Sequence, residues 1–271
     1  MSYSGKTAWI TGASSGIGAA LARSFADAGA DVILSGRDVA RLEAVAADLQ
    51  TDALLLPFEV TDEAAMLAAT DRAASWKDGV DIFVANAGIS QRSAAVDTDL
   101  QVYRRIIDVD LIAQIAATQA LLPHMTARGT GALVFISSVA GKVGVPMRTA
   151  YCAAKFGLIG YADALRAELS QTGVAVHVVC PGSVATDVSR NALTGSGTAR
   201  GRSDKAIDHG IPPAEAAAAI LDGMAAGQRE IMVARGMELA MAEMRRTPDA
   251  LLDQVAAMVA AGYMEKMQAD S

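Results

Sequence analysis

Thr7-Ala8-Trp9-Ile10-Thr11-Gly12-Ala13-Ser14-Ser15-Gly16-Ile17-Gly18 decides the reading of the whole chain. Its first five residues are a short apolar run with the composition of a buried strand. Glycines spaced three then one, G-x-x-x-G-x-G, then interrupt it, and an Ala-rich helical stretch runs on to about Gly29. A glycine-rich turn between strand and helix lets the backbone approach a pyrophosphate, with the helix's free N–H groups and dipole facing the anion. The spacing differs from the G-x-G-x-x-G of the familiar dinucleotide fingerprint.

Outward from this unit the pattern repeats. Asp31–Ser35 reads as a second strand ending at Gly36-Arg37-Asp38. An acid near this strand end serves the ribose hydroxyls in dinucleotide sites, whereas an arginine accommodates a 2′-phosphate. Arg37 therefore favours NADP(H) over NAD(H), and Asp38 is read as a helix N-cap. Ala53–Phe58 is a third strand leading to Glu59-Val60-Thr61-Asp62, where Thr61 or Asp62 can cap a helix over 63–77. A fourth strand, Asp81–Ala85, ends in Asn86-Ala87-Gly88, a small-residue turn over which an adenosine or ribose can lie flat. The stretch 100–128 is helical and carries Asp108, Asp110 and His124. A buried acid at Asp110 would require a partner.

Ala132–Ile136 is a fifth buried strand with Ser138 at its end. The carboxyl ends of such strands are where open α/β sheets place ligands. Tyr151 and Lys155 follow in a helix expected over 151–171, a spacing that stacks their side chains on one face. An ammonium beside a phenol favours the phenolate, so the pair suits proton exchange near neutrality. Ser138 can share a carbonyl oxygen with the Tyr151 hydroxyl. A sixth strand, Val174–Cys180, closes with Pro181-Gly182, and His177 is read as a strand histidine without chemical role. Residues 185–210, rich in Gly, Ser, Thr, Asp and Arg, read as a lid or mobile segment. Pro212-Pro213 opens another helix, and Glu230–Val233 is a last short strand. A helical tail from Met237 to Met267 is broken near Thr247-Pro248. Its Met241, Met244, Leu251, Val255, Met258 and Met267 are read first as packing residues, with cover for a substrate mouth or a partner subunit as the alternative. Arg92 and Arg148 are candidates for binding an anionic substrate.

Alternating strands and helices imply an α/β fold, a single Rossmann-type doubly wound parallel sheet with helices on both faces. The domain is expected over 1–235 and a helical C-terminal extension over 236–271. Hydrophobic residues are 52% of the chain and aromatics 4%, which suits close helix-on-sheet packing and disfavours disorder. The net charge of −7 argues against nucleic-acid binding, which needs a basic face, and no basic run appears in the sequence. Cys152 and Cys180 form no disulfide framework and read as buried thiols. No metal cluster, targeting signal or bilayer-spanning stretch is read in the sequence, which leads to the expectation of a cytoplasmic protein.

Taken in order, these motifs resemble the short-chain dehydrogenase/reductase family across residues 5 to about 235. Thr11–Gly18 is similar to its TGxxxGxG loop, Asn86-Ala87-Gly88 to its NAG turn, and Tyr151…Lys155 to its YxxxK, with Ser138 thirteen residues before Tyr151. The resemblance implies a nicotinamide cofactor held by Gly12, Ser14, Ser15, Gly16, Ile17, Gly18, Arg37, Glu59, Val60, Asn86, Ala87, Gly88, Tyr151, Lys155, Pro181, Gly182, Val184 and Thr186. It also implies catalysis by Ser138, Tyr151, Lys155 and the residue at Asp110. In that scheme Ser138 positions the substrate oxygen, Tyr151 exchanges its proton, Lys155 binds the nicotinamide ribose, and Pro181–Thr186 meets the carboxamide. The expected activity is NADP(H)-dependent interconversion of a carbonyl and a secondary or primary alcohol.

Two positions depart from the family's pattern. Asp110 stands where the family has an asparagine; it keeps the shape, loses the amide donor and adds negative charge near Lys155. Glu59 stands where an aspartate usually meets the adenine amino group. Asn86–Ser90, Leu121-Leu122-Pro123, Arg148–Tyr151 and Ser189–Thr194 are most similar to the dehydrogenase/reductase subgroup near the 11β-hydroxysteroid enzymes, which implies a small hydrophobic carbonyl or alcohol as substrate. The family also implies a homodimer or homotetramer through helices at 103–128 and 151–171. A dinucleotide-binding regulator or scaffold without efficient turnover is the alternative, and Asp110 is the feature that favours it. A lyase or dehalogenase on this fold would carry arginine in place of Lys155.

Overall fold

The computed structural model describes residues 2–263. Seven parallel strands form one sheet: β1 (Thr7–Thr11), β2 (Asp31–Ser35), β3 (Ala53–Leu55), β4 (Ile82–Ala85), β5 (Gly131–Ile136), β6 (Val174–Pro181) and β7 (Glu230–Val233). Their order is β3-β2-β1-β4-β5-β6-β7. The chain therefore winds outward from β1 to β3, returns, and winds the other way from β4. That reversal opens a crevice between the carboxyl ends of β1 and β4, where doubly wound sheets bind ligands.

Strand residues alternate between two cores. Ile10, Leu34, Val84, Val134 and Val179 face one side, where α1 (Gly16–Asp27), α2 (Val39–Ala47) and α8 (Pro213–Ala225) pack. Trp9, Ile33, Phe83, Phe135 and Val178 face the other. That side is covered by α3 (Glu63–Ala74), α5 (Ala113–Arg128) and α6 (Thr149–Glu168). Because both faces are covered, the strands read as nearly continuous apolar runs. The remaining helices are α4 (Leu100–Ile107), the four-residue α7 (Lys205–Asp208), α9 (Gly236–Glu243) and α10 (Asp249–Ala260).

Several boundaries differ from expectation for identifiable reasons. The third strand stops at Leu55 rather than Phe58, since Pro57 has no N–H to give the ladder; the Phe58 N–H still reaches Gly36 O at 3.1 Å. Asp62 does cap α3, but the helix ends at Ala74, and Lys77 then adopts a left-handed φ of 48°. The expected helix 100–128 is divided by a π-helical turn, Asp108–Ile112, between α4 and α5. The run is 29 residues long and an 18-residue window within it reaches a mean hydropathy of 1.4, enough by length and composition alone for a membrane-crossing helix, which corrects the expectation of no such stretch. Its apolar side belongs to the core: Val102, Ile106, Ala117, Leu121 and Met125 are buried. The tail breaks where expected, with Pro248 as the N-cap of α10. Met267 lies outside the described residues.

Candidate active site

The Gly12–Gly18 turn leaves no room for side chains at its three glycines. Gly12 and Gly16 adopt φ of 65° and 55°, the left-handed region that glycine enters without strain. A β-carbon on Gly18 would overlap the Gly12 carbonyl. Thr11 ties this turn to the end of β4: its Oγ1 accepts the N–H groups of Asn86 at 3.0 Å and Ala87 at 3.1 Å. Asn86 Nδ2 donates back to Thr11 O at 2.9 Å. Ser15, the N-cap of α1, makes no side-chain capping bond, so the first-turn N–H groups face the groove with no side chain capping them.

A groove of about 630 Å³ runs from this turn along the carboxyl edge of the sheet. Ser14, Ser15, Gly16 and Ile17 line one part, Arg37, Glu59 and Val60 the far end, and Asn86, Ala87 and Gly88 the floor. Ser138, Tyr151, Lys155 and Asp110 meet Pro181, Gly182, Val184 and Thr186 at the other end. Of the expected residues only Gly18 stays behind the wall, acting through the turn's shape. A cradle that excludes β-carbons, an open helix N-terminus and the length of the groove together fit a dinucleotide. Arg37 and Glu59, expected to meet different parts of it, pair with each other at 3.2 Å, both well exposed.

Asp110 sits in the π turn, fully buried, so the acid found in the sequence does have its partner. Its Oδ1 accepts the Ile89 N–H at 2.8 Å, and its Oδ2 lies 3.2 Å from Lys155 Nζ. That second contact is an ion pair without an aligned hydrogen bond; Lys155 directs a proton to Ile136 O at 3.0 Å instead. Burial raises the Asp110 carboxyl above its ordinary value, with Lys155 and the Ile89 N–H offsetting only part of the rise. Burial also opposes the Lys155 ammonium, but Asp110 and Tyr151 outweigh it and hold Lys155 above its ordinary value. Gly88 fits closely beside this pair: a β-carbon there would stand 3.1 Å from Asp110 Oδ2, tight enough that the carboxylate would have to shift. Lys155 Nζ lies 5.7 Å from the Tyr151 ring centroid. The Ser138 hydroxyl donates to Pro181 O at 3.2 Å and accepts the Ala140 N–H at 3.1 Å. A phenol, a buried cation and a hydroxyl thus open on one groove.

The segment 185–210 is a strap packed onto the body. Ala192, Leu193 and Ile207 are buried, and Leu193 bridges to Gln91. Asp204 anchors the strap by pairing with Arg92 at 2.7 Å, Arg200 at 2.5 Å and Arg148 at 3.6 Å. Arg92 and Arg148 are therefore committed to an internal carboxylate, which corrects their reading as anchors for an anionic substrate. His177 bonds Gln228 O at 2.7 Å, and burial lowers its pKa.

Three contributions escaped the sequence reading. Gln101, Arg104, Arg105 and Asp108 form a wall of the groove from α4 and the π turn; their helical spacing was the available signal. Gln114 Nε2 donates to Ala87 O at 2.5 Å and Val109 O at 3.2 Å, bracing the Asn86–Gly88 turn; nothing local marks it. Glu238, far along the chain, grips Ser183 beside Gly182.

Comparison with known proteins bears on family and fold. The family model for short chain dehydrogenase matches residues 6–196. A dehydrogenase/reductase SDR family protein 7-like of Anopheles gambiae is 38% identical over 238 residues, spanning 85% of this chain and 75% of that protein. Dehydrogenase/reductase SDR family member 7B of Danio rerio is 36% identical over 238 residues, spanning 84% and 77%. Among solved structures, a short chain dehydrogenase/reductase from Burkholderia phymatum in complex with NAD superposes with a TM-score of 0.80. It is 21% identical and covers 92% of this chain and 98% of its own, a likeness of fold.

Proposed function

The chain belongs to the short-chain dehydrogenase family and is an oxidoreductase acting on CH–OH groups with a nicotinamide cofactor; we propose that it interconverts a carbonyl and an alcohol using NADP(H), with Tyr151 as general acid and base. The observation that carries this reading is the opening of Ser138, Tyr151 and Lys155 onto the groove whose other part is the glycine cradle. Gly12–Gly18 would hold the pyrophosphate, Asn86–Gly88 the adenosine side, and Pro181–Thr186 the nicotinamide end. Arg37 supports a 2′-phosphate, with Glu59 exchanging its ion pair for contact with the adenine. The bound cofactor supplies or accepts the hydride. Ser138 orients the substrate oxygen, Tyr151 delivers or removes its proton, and the Lys155 ammonium stabilises the phenolate that remains. The substrate of this reading is a small hydrophobic carbonyl or alcohol; the names of the relatives carry the dehydrogenase/reductase chemistry alone. Free, buried Cys152 and Cys180 suit a reducing, cytoplasmic setting.

We further propose a homodimer or homotetramer through α5 and α6, supported by the exposed small residues Ala153, Gly160 and Ala164 along one stripe of α6. The alternative of a dinucleotide-binding regulator rests on Asp110, and the same experiment separates the two. Purified protein is titrated with NADPH and NADH by the emission of the reduced ring, then assayed against ketones, aldehydes and secondary alcohols. We expect tighter NADPH binding and measurable turnover. Tyr151→Phe should lower kcat by at least about a hundredfold while leaving NADPH binding within about twofold. Unchanged turnover in that variant refutes the acid/base role; binding without turnover in the wild type selects the regulator.

A further inference from the structure

The loop that leaves β6 is gripped by a helix lying beyond the residues matched to the family. Glu238, on α9, accepts two hydrogen bonds from Ser183, one from its N–H and one from its hydroxyl, each 2.8 Å. Its carboxylate fills the space in front of Gly182, where a β-carbon would overlap Oε2. The Gly182 N–H donates to Val233 O at 3.0 Å, so the loop is also pinned to the end of β7. One residue earlier, Pro181 O accepts the Ser138 hydroxyl. The helix carrying Glu238 also packs on the turn Val139–Gly141 that follows Ser138. A carboxylate receiving two aligned donors is a strong, directional anchor.

We infer that Glu238 is a positioning residue: by clamping Ser183 it fixes Pro181 and Gly182, and through Pro181 O it sets the direction of the Ser138 hydroxyl. The C-terminal extension is then a working part of the redox site, although Glu238 itself touches neither cofactor nor substrate. The wall it steadies carries Pro181, Gly182, Val184 and Thr186. Glycine at 182 follows from the same arrangement, since any side chain there would evict the clamp. This inference rests on the carbonyl–alcohol chemistry proposed above.

The test compares Glu238→Ala, Glu238→Gln, Ser183→Ala and the control Glu243→Ala, an exposed acid on the same helix. Each is titrated with NADPH by reduced-ring emission and assayed for kcat and KM. Misplacing a wall by a fraction of an ångström should weaken NADPH binding by about three- to tenfold and lower kcat by about tenfold in Glu238→Ala. Glu238→Gln, which keeps an acceptor for the N–H and gives a donor to the hydroxyl, should return both to within about threefold. Ser183→Ala, which keeps the N–H anchor, should show the same losses at reduced size, and Glu243→Ala none. Glu238→Ala within about twofold of wild type on both measures overturns the inference, as does a Gln variant that loses as much as Ala. If Glu238→Ala fails to fold, Ser183→Ala and Glu238→Gln decide. Wild-type protein that binds no dinucleotide overturns the functional proposal itself, a separate result.

Discussion

At the scale of single residues, the buried Asp110–Lys155 pair is the chain's most distinctive chemistry. Two charges out of water need each other: removing one leaves the other without compensation. With aspartate at this position the ammonium beside Tyr151 is partly neutralised from behind, which weakens its pull on a departing proton. Asp110→Asn restores an amide of the same shape and removes the neutralising charge. The pH–rate profile for alcohol oxidation should then move to lower pH by about one unit, since a less screened cation favours proton loss next to it. Profiles measured on both proteins with one alcohol check this; superimposable curves would show the carboxylate to be electrically silent. Asp110 also shows what a sequence can and cannot say. Its identity and the need for a partner were readable, whereas the partner geometry depends on a π turn that no local pattern announces.

At the scale of elements, the strap over 185–210 depends on Asp204. Burial opposes its charge, but Arg200, Arg92 and Ser189 more than compensate and hold its carboxyl below the ordinary 3.8. A carboxyl with a lowered folded-state pKa contributes stability above its unfolded value and loses it as pH falls through the folded one. The strap should therefore loosen below about pH 4, and Asp204→Asn should loosen it already at pH 7, costing about 2 kcal/mol because Arg92 loses its counter-charge in a largely buried place. Hydrogen exchange of residues 189–207 at pH 7 and pH 3 reads this directly; strap amides equally protected in both proteins at pH 7 would contradict it. The strap was legible only as an interruption. Its composition reads as loop, and the carboxylate that folds it down lies more than a hundred residues from Arg92. The strands were legible throughout, because burial on both faces writes itself as apolar runs. Only β3, an edge strand interrupted by Pro57, lost half its expected length.

For the whole molecule, the exposed stripe on α6 offers a clean perturbation of assembly. A β-carbon at Gly160 meets nothing within 4 Å, and arginine is a better helix former than glycine. Gly160→Arg should therefore leave the protomer folded, with an unchanged or higher melting temperature, while blocking close approach of a second α6. Light scattering on a sizing column should show the wild type as dimer or tetramer and the variant as a smaller species. A monomeric wild type, or a variant of unchanged mass, would remove the proposed interface.

The braced end of β6 has a consequence for anyone recombining this enzyme with its relatives. Pro181 pairs in register with Val233, and Ser183 is held by a side chain more than fifty positions downstream, so these distant pieces form one mechanical unit. A chimera spliced near residue 196, where the match to the family model ends, would join a foreign last strand and helix to a native loop and mismatch both fastenings at once. Splice points that keep 181–243 intact preserve them.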